Sequence, residues 1–198
     1  KPLFGDWKME VKMTPLDGMD VAGKRVLLRL DINSPIDPQT KKIVNENRLK
    51  KSLPTLHYLL DGGAKVAIIA HQGDTLDYQN LIPLKEHAEK LTILSGREVK
   101  YIDDVCGPAA CEAVNALREG ECILLGNLRY LCEEISGFEK EVKLQPCEML
   151  DTWLVRTLAP LFDLYVNDAF SAAHRNCPSM TAFQQVLPTA CLLYTSDA

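Results

Sequence analysis

Residues 24–31 carry a near-continuous apolar run, Val26, Leu27, Leu28 and Leu30, interrupted only by Arg29 and followed by polar Asp31-Ile32-Asn33-Ser34-Pro35. A run of this length without polar alternation predicts a strand buried on both faces of a parallel sheet. Leu49, Leu53, Leu56 and Leu60 then recur at helical spacing and stop at Asp61-Gly62-Gly63. This predicts a helix capped by glycine, with Pro54 kinking it or sitting near its first turns. Residues 64–70 form a second buried strand that ends in His71-Gln72-Gly73-Asp74. The alternation continues with a helix over 84–94, a strand over 98–102, a helix over 108–117 and a strand over 121–125 that leads into Gly126-Asn127-Leu128-Arg129. A charged stretch over 133–143 is expected to be a loop. A helix over 149–161 and a strand over 163–166, followed by Asn167-Asp168-Ala169-Phe170, complete the pattern.

Repeated strand and helix units with short connections imply an α/β fold: a doubly wound parallel sheet with helices on both faces, a Rossmann-like three-layer sandwich. A closed eight-fold barrel needs more chain. In open sheets of this kind ligands bind beyond the carboxyl ends of the strands, so those ends are where chemistry is sought.

At 198 residues and 46% hydrophobic content the chain fits one domain with a substantial core, and a second full domain does not fit. Lys and Arg number 22 against 27 Asp and Glu, mixed in sign along the chain, so no basic face for nucleic acid is implied. Any anion must therefore be held by a local cluster. No apolar run is long enough to cross a bilayer, and residues 1–13 lack the apolar stretch of a secretory signal, so a cytoplasmic protein without membrane contact is expected. Seven cysteines without a C-x-x-C pair read as reduced thiols, mostly packed. The four histidines show no metal-ligand spacing, and no protein-held metal is expected. The chain opens on Lys1, with Met9 or Met13 nearer an expected start. Residues 191–198 look like a non-native tail on a domain spanning 1–190.

The residues that follow the strands are Asp31 and Asn33, then His71, then Asn127 and Arg129, then Asn167, Asp168, His174 and Arg175; Arg48 opens the first helix. Arginines and a histidine converging from separate loops suit a phosphate or a carboxylate, because the guanidinium fork matches both. Asp31 and Asn33 can meet a hydroxyl. Taken singly, each residue has a structural alternative: a strand-end Asp or Asn more often caps a turn, Arg129 could form a surface ion pair, and His71 could be a satisfied loop histidine. Their shared position after strands is what favours a small, anionic, hydroxylated ligand. Gly18-Met19-Asp20-Val21-Ala22-Gly23-Lys24 imitates a nucleotide phosphate loop, but Arg25 stands where Ser or Thr should hold magnesium, and the segment precedes its strand. No G-x-G-x-x-G follows any strand, so no dinucleotide site is expected.

Residues 26–35, Asn47-Arg48, residues 69–73, residues 124–129 and residues 165–175 resemble, in order and spacing, the amino-terminal motifs of the phosphoglycerate kinase family, in wording nearer its archaeal forms. The resemblance runs from about Leu16 to Pro188. It implies that Asp31 and Asn33 hold the hydroxyl of 3-phosphoglycerate and its neighbouring oxygens, and that His71, Arg129 and Arg175 hold its phosphate. By the same resemblance Arg48 is catalytic, beside the phosphoryl group in transit. The reaction implied is reversible phosphoryl transfer between ATP and the substrate carboxylate in glycolysis and gluconeogenesis. ATP or ADP with Mg2+ would be held by a carboxy-terminal nucleotide-binding domain absent from these residues, and a monomer is implied. The fragment alone is expected to be inactive. Two positions depart from the pattern. Asp74 stands where the family usually has a second arginine, which should weaken substrate binding or change the substrate. Gly126 replaces a usual glutamate and could alter the support of Arg129. A non-catalytic relative serving as an anion-binding or interaction module remains the alternative, and an unrelated Rossmann-like phosphate binder fits the architecture but not the motifs.

Overall fold

The computed structural model describes residues 13–74 and 78–191. Its strands are β1 (Met13–Pro15), β2 (Arg25–Leu30), β3 (Lys65–Ile69), β4 (Val99–Tyr101), β5 (Cys122–Leu124), β6 (Leu164–Asp168) and β7 (Thr189–Cys191). Its helices are α1 (Asn47–Asp61), α2 (Lys85–Ser95), α3 (Pro108–Asn115), α4 (Ser136–Val142), α5 (Trp153–Leu158) and α6 (Pro178–Thr181). The strands form one sheet in the order β1-β7-β6-β2-β3-β5-β4, with every neighbouring pair parallel. This is the doubly wound α/β sandwich that the alternating pattern implies.

Strand residues alternate between two cores, one on each face. Val26, Leu28, Leu30, Val66, Ile68 and Leu124 pack with Leu49, Leu56 and Leu60 of α1 and Leu91 of α2. Leu27, Ala67, Ile69, Ile123 and Tyr165 pack on the other face with Ala110 and Val114 of α3 and Leu154, Val155 and Leu158 of α5. Burial on both faces is why β2 and β3 read as unbroken apolar runs. Arg29 shares the second face with Leu27 and is itself buried. Leaving strand order in opposite directions, β2 is flanked by β3 on one side and β6 on the other, which opens a crevice at their carboxyl ends.

Several boundaries differ from the sequence expectation. β6 extends through Asn167 and Asp168, because Leu30 pairs with Asp168 in register; these two residues end the strand instead of following it. The helix expected over 149–161 is broken into a 3-10 turn (Glu148–Asp151), α5 and a second 3-10 turn (Ala159–Leu161) that contains Pro160. The stretch 133–143 is not a loop: it holds part of a 3-10 turn (Cys132–Glu134) and all of α4 but Ser136 onward to Val142 buries no residue, so it carries no apolar periodicity to read. Edge strand β1 and its neighbour β7, three residues each, are too short to stand out in sequence. Pro54 lies inside α1, about two turns from its start. The left-handed conformation at that helix's end falls on Gly63, φ +79°, beyond Gly62.

Met13 opens β1 and Cys191 closes β7. Met9 and the remainder of the expected tail, 192–198, lie outside the described residues. Cys106, Cys122 and Cys177 are buried thiols. Among the described residues no helix is long and apolar enough to cross a membrane.

Candidate anion site at the carboxyl rim of the sheet

His71 lies one residue beyond β3, after Ala70, and is 7% exposed. Its Nδ1 lies 2.9 Å from Nη2 of Arg29 on the neighbouring strand β2. Burial is the main reason His71 titrates well below the ordinary histidine range, and the positive charges of Arg29, Arg129, Arg175 and Arg48 depress it further. Four guanidinium groups from β2, α1, the turn after β5 and the segment after β6 thus act on one imidazole. They share a basin.

Each of the three expected site arginines is engaged by a carboxylate of the chain itself. Arg48 Nη1 lies 2.5 Å from Asp31 Oδ2. Arg129, only 6% exposed in its side chain, bonds Asp74 at 2.8 Å. Arg175 Nε bonds Glu139 of α4 at 2.6 Å, while its buried Nη2 has no hydrogen-bond partner. Burial and the charge of Arg175 disfavour the Arg129 cation, and Asp74 offsets part of that cost. Ser136 Oγ also donates to Asp74, so this carboxylate faces Arg129 and ties α4 to the turn after β3.

Buried amides hold the loops in place. Asn127 accepts from the Gln72 and Arg129 backbone N–H groups at 3.1 and 3.0 Å, and donates to the Gln72 and Ile82 carbonyls at 2.8 and 2.9 Å. Gln72 Oε1 accepts from the Ser34 amide and from His87 Nε2, at 2.8 and 3.0 Å. His87 is held neutral by burial, its pKa lowered to about 4. Asn33 Oδ1 accepts from the Gly73 amide at 3.2 Å, which links the loops after β2 and β3. Gly73 is required there: its φ is +72°, and a Cβ would come within 2.5 Å of the Asn80 backbone. Gly126 is also close-packed, since a Cβ would lie 3.1 Å from the Asp104 backbone, and Arg129 is positioned by Asn127 and Asp74 instead.

Asp31 and Arg48 line a cavity of about 420 Å³ together with Lys51, Ser52, Asp168, Phe170 and Ser171. Burial raises the Asp168 carboxyl to about 6, aided by repulsion from Asp31 and opposed by a hydrogen bond from Thr55. Its Oδ2 is buried without a partner. Of the remaining strand-end residues, Asn167 caps the turn by accepting from the Ala169 amide at 3.0 Å, and His174 is exposed.

Residues 16–194 match the family profile described as phosphoglycerate kinase. The chain belongs to the phosphoglycerate kinase family. It is similar to the phosphoglycerate kinase of Sulfurisphaera tokodaii, 42% identical over 181 residues that make up 91% of this chain and 42% of that protein. It is likewise similar to the enzyme of Thermococcus kodakarensis, 43% identical over 168 residues, 84% of this chain and 38% of that protein. The crystal structure of phosphoglycerate kinase from Pyrococcus horikoshii superposes with a TM-score of 0.83 at 34% identity, covering 94% of this chain and 47% of that one. The chain spans about two fifths of the length of the curated phosphoglycerate kinases it matches.

In this phosphoglycerate kinase family member, sequence reading placed Asn127 at a strand end but did not see that it and Gln72 brace the loops. Arg29 was visible only as the one charge inside a buried strand, a signal that a partner must exist, since a buried guanidinium is not left unpaired. Its partner Ser179, and Glu134 bonded behind Ser179, come from segments without apolar pattern.

Proposed function

We propose that this chain is the 3-phosphoglycerate-binding half of a phosphoglycerate kinase and contributes to reversible phosphoryl transfer between ATP and the substrate carboxylate. The observation that carries the reading is the buried His71 at the carboxyl rim of the sheet, 2.9 Å from Arg29, its pKa depressed by burial and by the charges of Arg29, Arg129, Arg175 and Arg48. A small polyanion that replaced Asp31, Asp74 and Glu139 on these guanidinium groups would meet charge-assisted donors partly shielded from water. The unpartnered Arg175 Nη2 is a donor ready for such a ligand. In this reading the phosphate sits by His71, Arg129 and Arg175, each exchanging a carboxylate contact or open valence for a phosphate oxygen. Asp31 and Asn33 face the hydroxyl, and the carboxylate projects toward Arg48 over the cavity lined by Lys51 and Ser171.

The reaction requires little covalent work from the protein. A carboxylate oxygen of 3-phosphoglycerate attacks the γ-phosphorus of ATP, the bond to the ADP oxygen breaks, and 1,3-bisphosphoglycerate and ADP result. Arg48, half exposed at the mouth of the cavity, offsets the negative charge that gathers as the two anions approach. Among the described residues no three His, Cys, Asp or Glu side chains gather at one point. ATP with its Mg2+ falls to the second half of such a kinase. The chain acts as a cytoplasmic monomer in this reading, without nucleic acid or membrane partners. Titration calorimetry of the 198 residues with 3-phosphoglycerate tests it. Heat that weakens with added salt and is absent with glycerate supports the reading, and no saturable heat contradicts it. ADP formation by the chain alone would contradict its assignment as an incomplete half.

One observation favours a second reading. Asp74 already occupies Arg129, which is what a relative that has lost or changed its substrate would show. Such a protein would be a non-catalytic anion-binding or interaction module.

A further inference from the structure

Arg29 uses every nitrogen of its guanidinium inside the fold. Nη1 donates to the Leu30 carbonyl at 2.6 Å, Nε donates to Ser179 Oγ at 3.2 Å, and Nη2 lies 2.9 Å from His71 Nδ1. Ser179 in turn donates its amide and its hydroxyl to the two oxygens of Glu134, both at 2.7 Å, and its carbonyl accepts from Tyr165 at 2.6 Å. Arg29, Glu134, Ser179 and Tyr165 are all nearly or wholly buried. A guanidinium only donates, so the ring nitrogen that faces it must present a lone pair. The proton of the neutral imidazole is thereby confined to Nε2, the other ring nitrogen.

We propose that Arg29, anchored through Ser179 to Glu134, is a positioning residue that fixes His71 as the Nε2–H tautomer, so that this histidine offers a donor, never an acceptor, to an anion in the basin. The donor direction rests on the 3-phosphoglycerate reading; the tautomer does not. The chain of contacts also explains why an arginine stands in the middle of a strand that is otherwise aliphatic. Glu134, linked to it through Ser179, attracts its charge across that bridge, and Ser179 sets its plane. An acceptor nitrogen at the same place would repel a phosphate oxygen, so the arrangement selects ligand sign as well as orientation.

The test is the ligand-free 15N spectrum of the His71 ring, followed by binding of 3-phosphoglycerate. The parent is expected to show a pyridine-type Nδ1 and a pyrrole-type Nε2. The charge-balanced double substitution Arg29→Met with Glu134→Gln removes the donor without stranding a buried carboxylate, and it should yield a mixture of tautomers. Its affinity for 3-phosphoglycerate should fall on the order of tenfold, as for loss of one hydrogen bond to a charged group. A protonated Nδ1 in the parent, or an unchanged Nε2–H tautomer in the folded double variant, overturns the proposal. Loss of the fixed tautomer in a protein that never bound 3-phosphoglycerate supports the positioning role and overturns the ligand assignment.

Discussion

Replacing Asp74 by Asn should tighten phosphate binding while loosening the ligand-free protein. Asp74 lies 2.8 Å from Arg129, and the two side chains are 21% and 6% exposed, so this pair is shielded from water more than a surface ion pair. A phosphate taking the same guanidinium would meet the Asp74 carboxylate at about 5 Å. At an effective dielectric near 20 that repulsion is roughly 3 kcal/mol per unit of ligand charge before screening. Partial exposure of Asp74 and salt reduce it, and a net gain of about 1.5 kcal/mol, or about tenfold in affinity, is the expected effect of Asp74→Asn. Asp74→Arg adds a cation as well and should gain more. Without ligand, either change strands the Arg129 charge and should lower stability by about 1–3 kcal/mol. Calorimetry with 3-phosphoglycerate reads the first effect, and urea unfolding of the ligand-free chain reads the second. Unchanged or weaker affinity in a folded Asp74→Asn protein would show that Asp74 does not compete with the ligand.

Three further outcomes follow from the same geometry. Asp168 has its carboxyl raised from 3.8 to about 6, so the folded state binds its proton more tightly than the unfolded chain, and this group's stabilisation is complete below the lower value and lost as pH rises through the upper one. Asp168→Asn should therefore match the parent near pH 4 and exceed it by about 2 kcal/mol near pH 7, read as the difference between two denaturation curves. Gly73→Ala should cost about 2 kcal/mol or more, from the positive φ and from the contact with the Asn80 backbone, and it should displace the loop that carries His71; thermal unfolding and the His71 ring resonances report the two effects. Glu134→Ala leaves the Arg29 guanidinium buried without its counter-charge and should destabilise the fold by about 3 kcal/mol in urea, whereas Ser136→Ala, at the partly buried Asp74 contact, should cost about 1 kcal/mol.

The central sheet was legible because it is buried on both faces. β2, β3 and β5 contribute residues to two separate cores, and that requirement writes itself as uninterrupted apolar runs whose ends point to the ligand rim. What stayed hidden has a physical cause in each case. β7 gains its strand form by inserting between β6 and β1, and β1 by pairing with β7 across most of the chain's length, which three residues each cannot announce locally. α4 rests on the ion pair between Glu139 and Arg175 and on the Ser136 contact, with no apolar face to give it a period. Arg129 and Arg175 could be named from their places after strands, and Arg48 from its place at the start of α1. Asp31 and Asp74 could be named too, but not as their ion-pair partners, and Glu139 could not be told in sequence from the many solvated acids around it. Arg29 was the exception: a lone charge between leucines asks for a buried partner, and the structure supplies Glu134 through Ser179.

The most direct test of the shared basin is a titration of 15N-labelled chain with 3-phosphoglycerate, following every backbone amide. Saturable shifts should gather at residues 31–34, 71–74, 127–130 and 174–176, which belong to four separate segments that only the folded sheet brings together. Shifts confined to one of those segments, or spread over the α2 and β4 end of the sheet, would contradict the placement of the site.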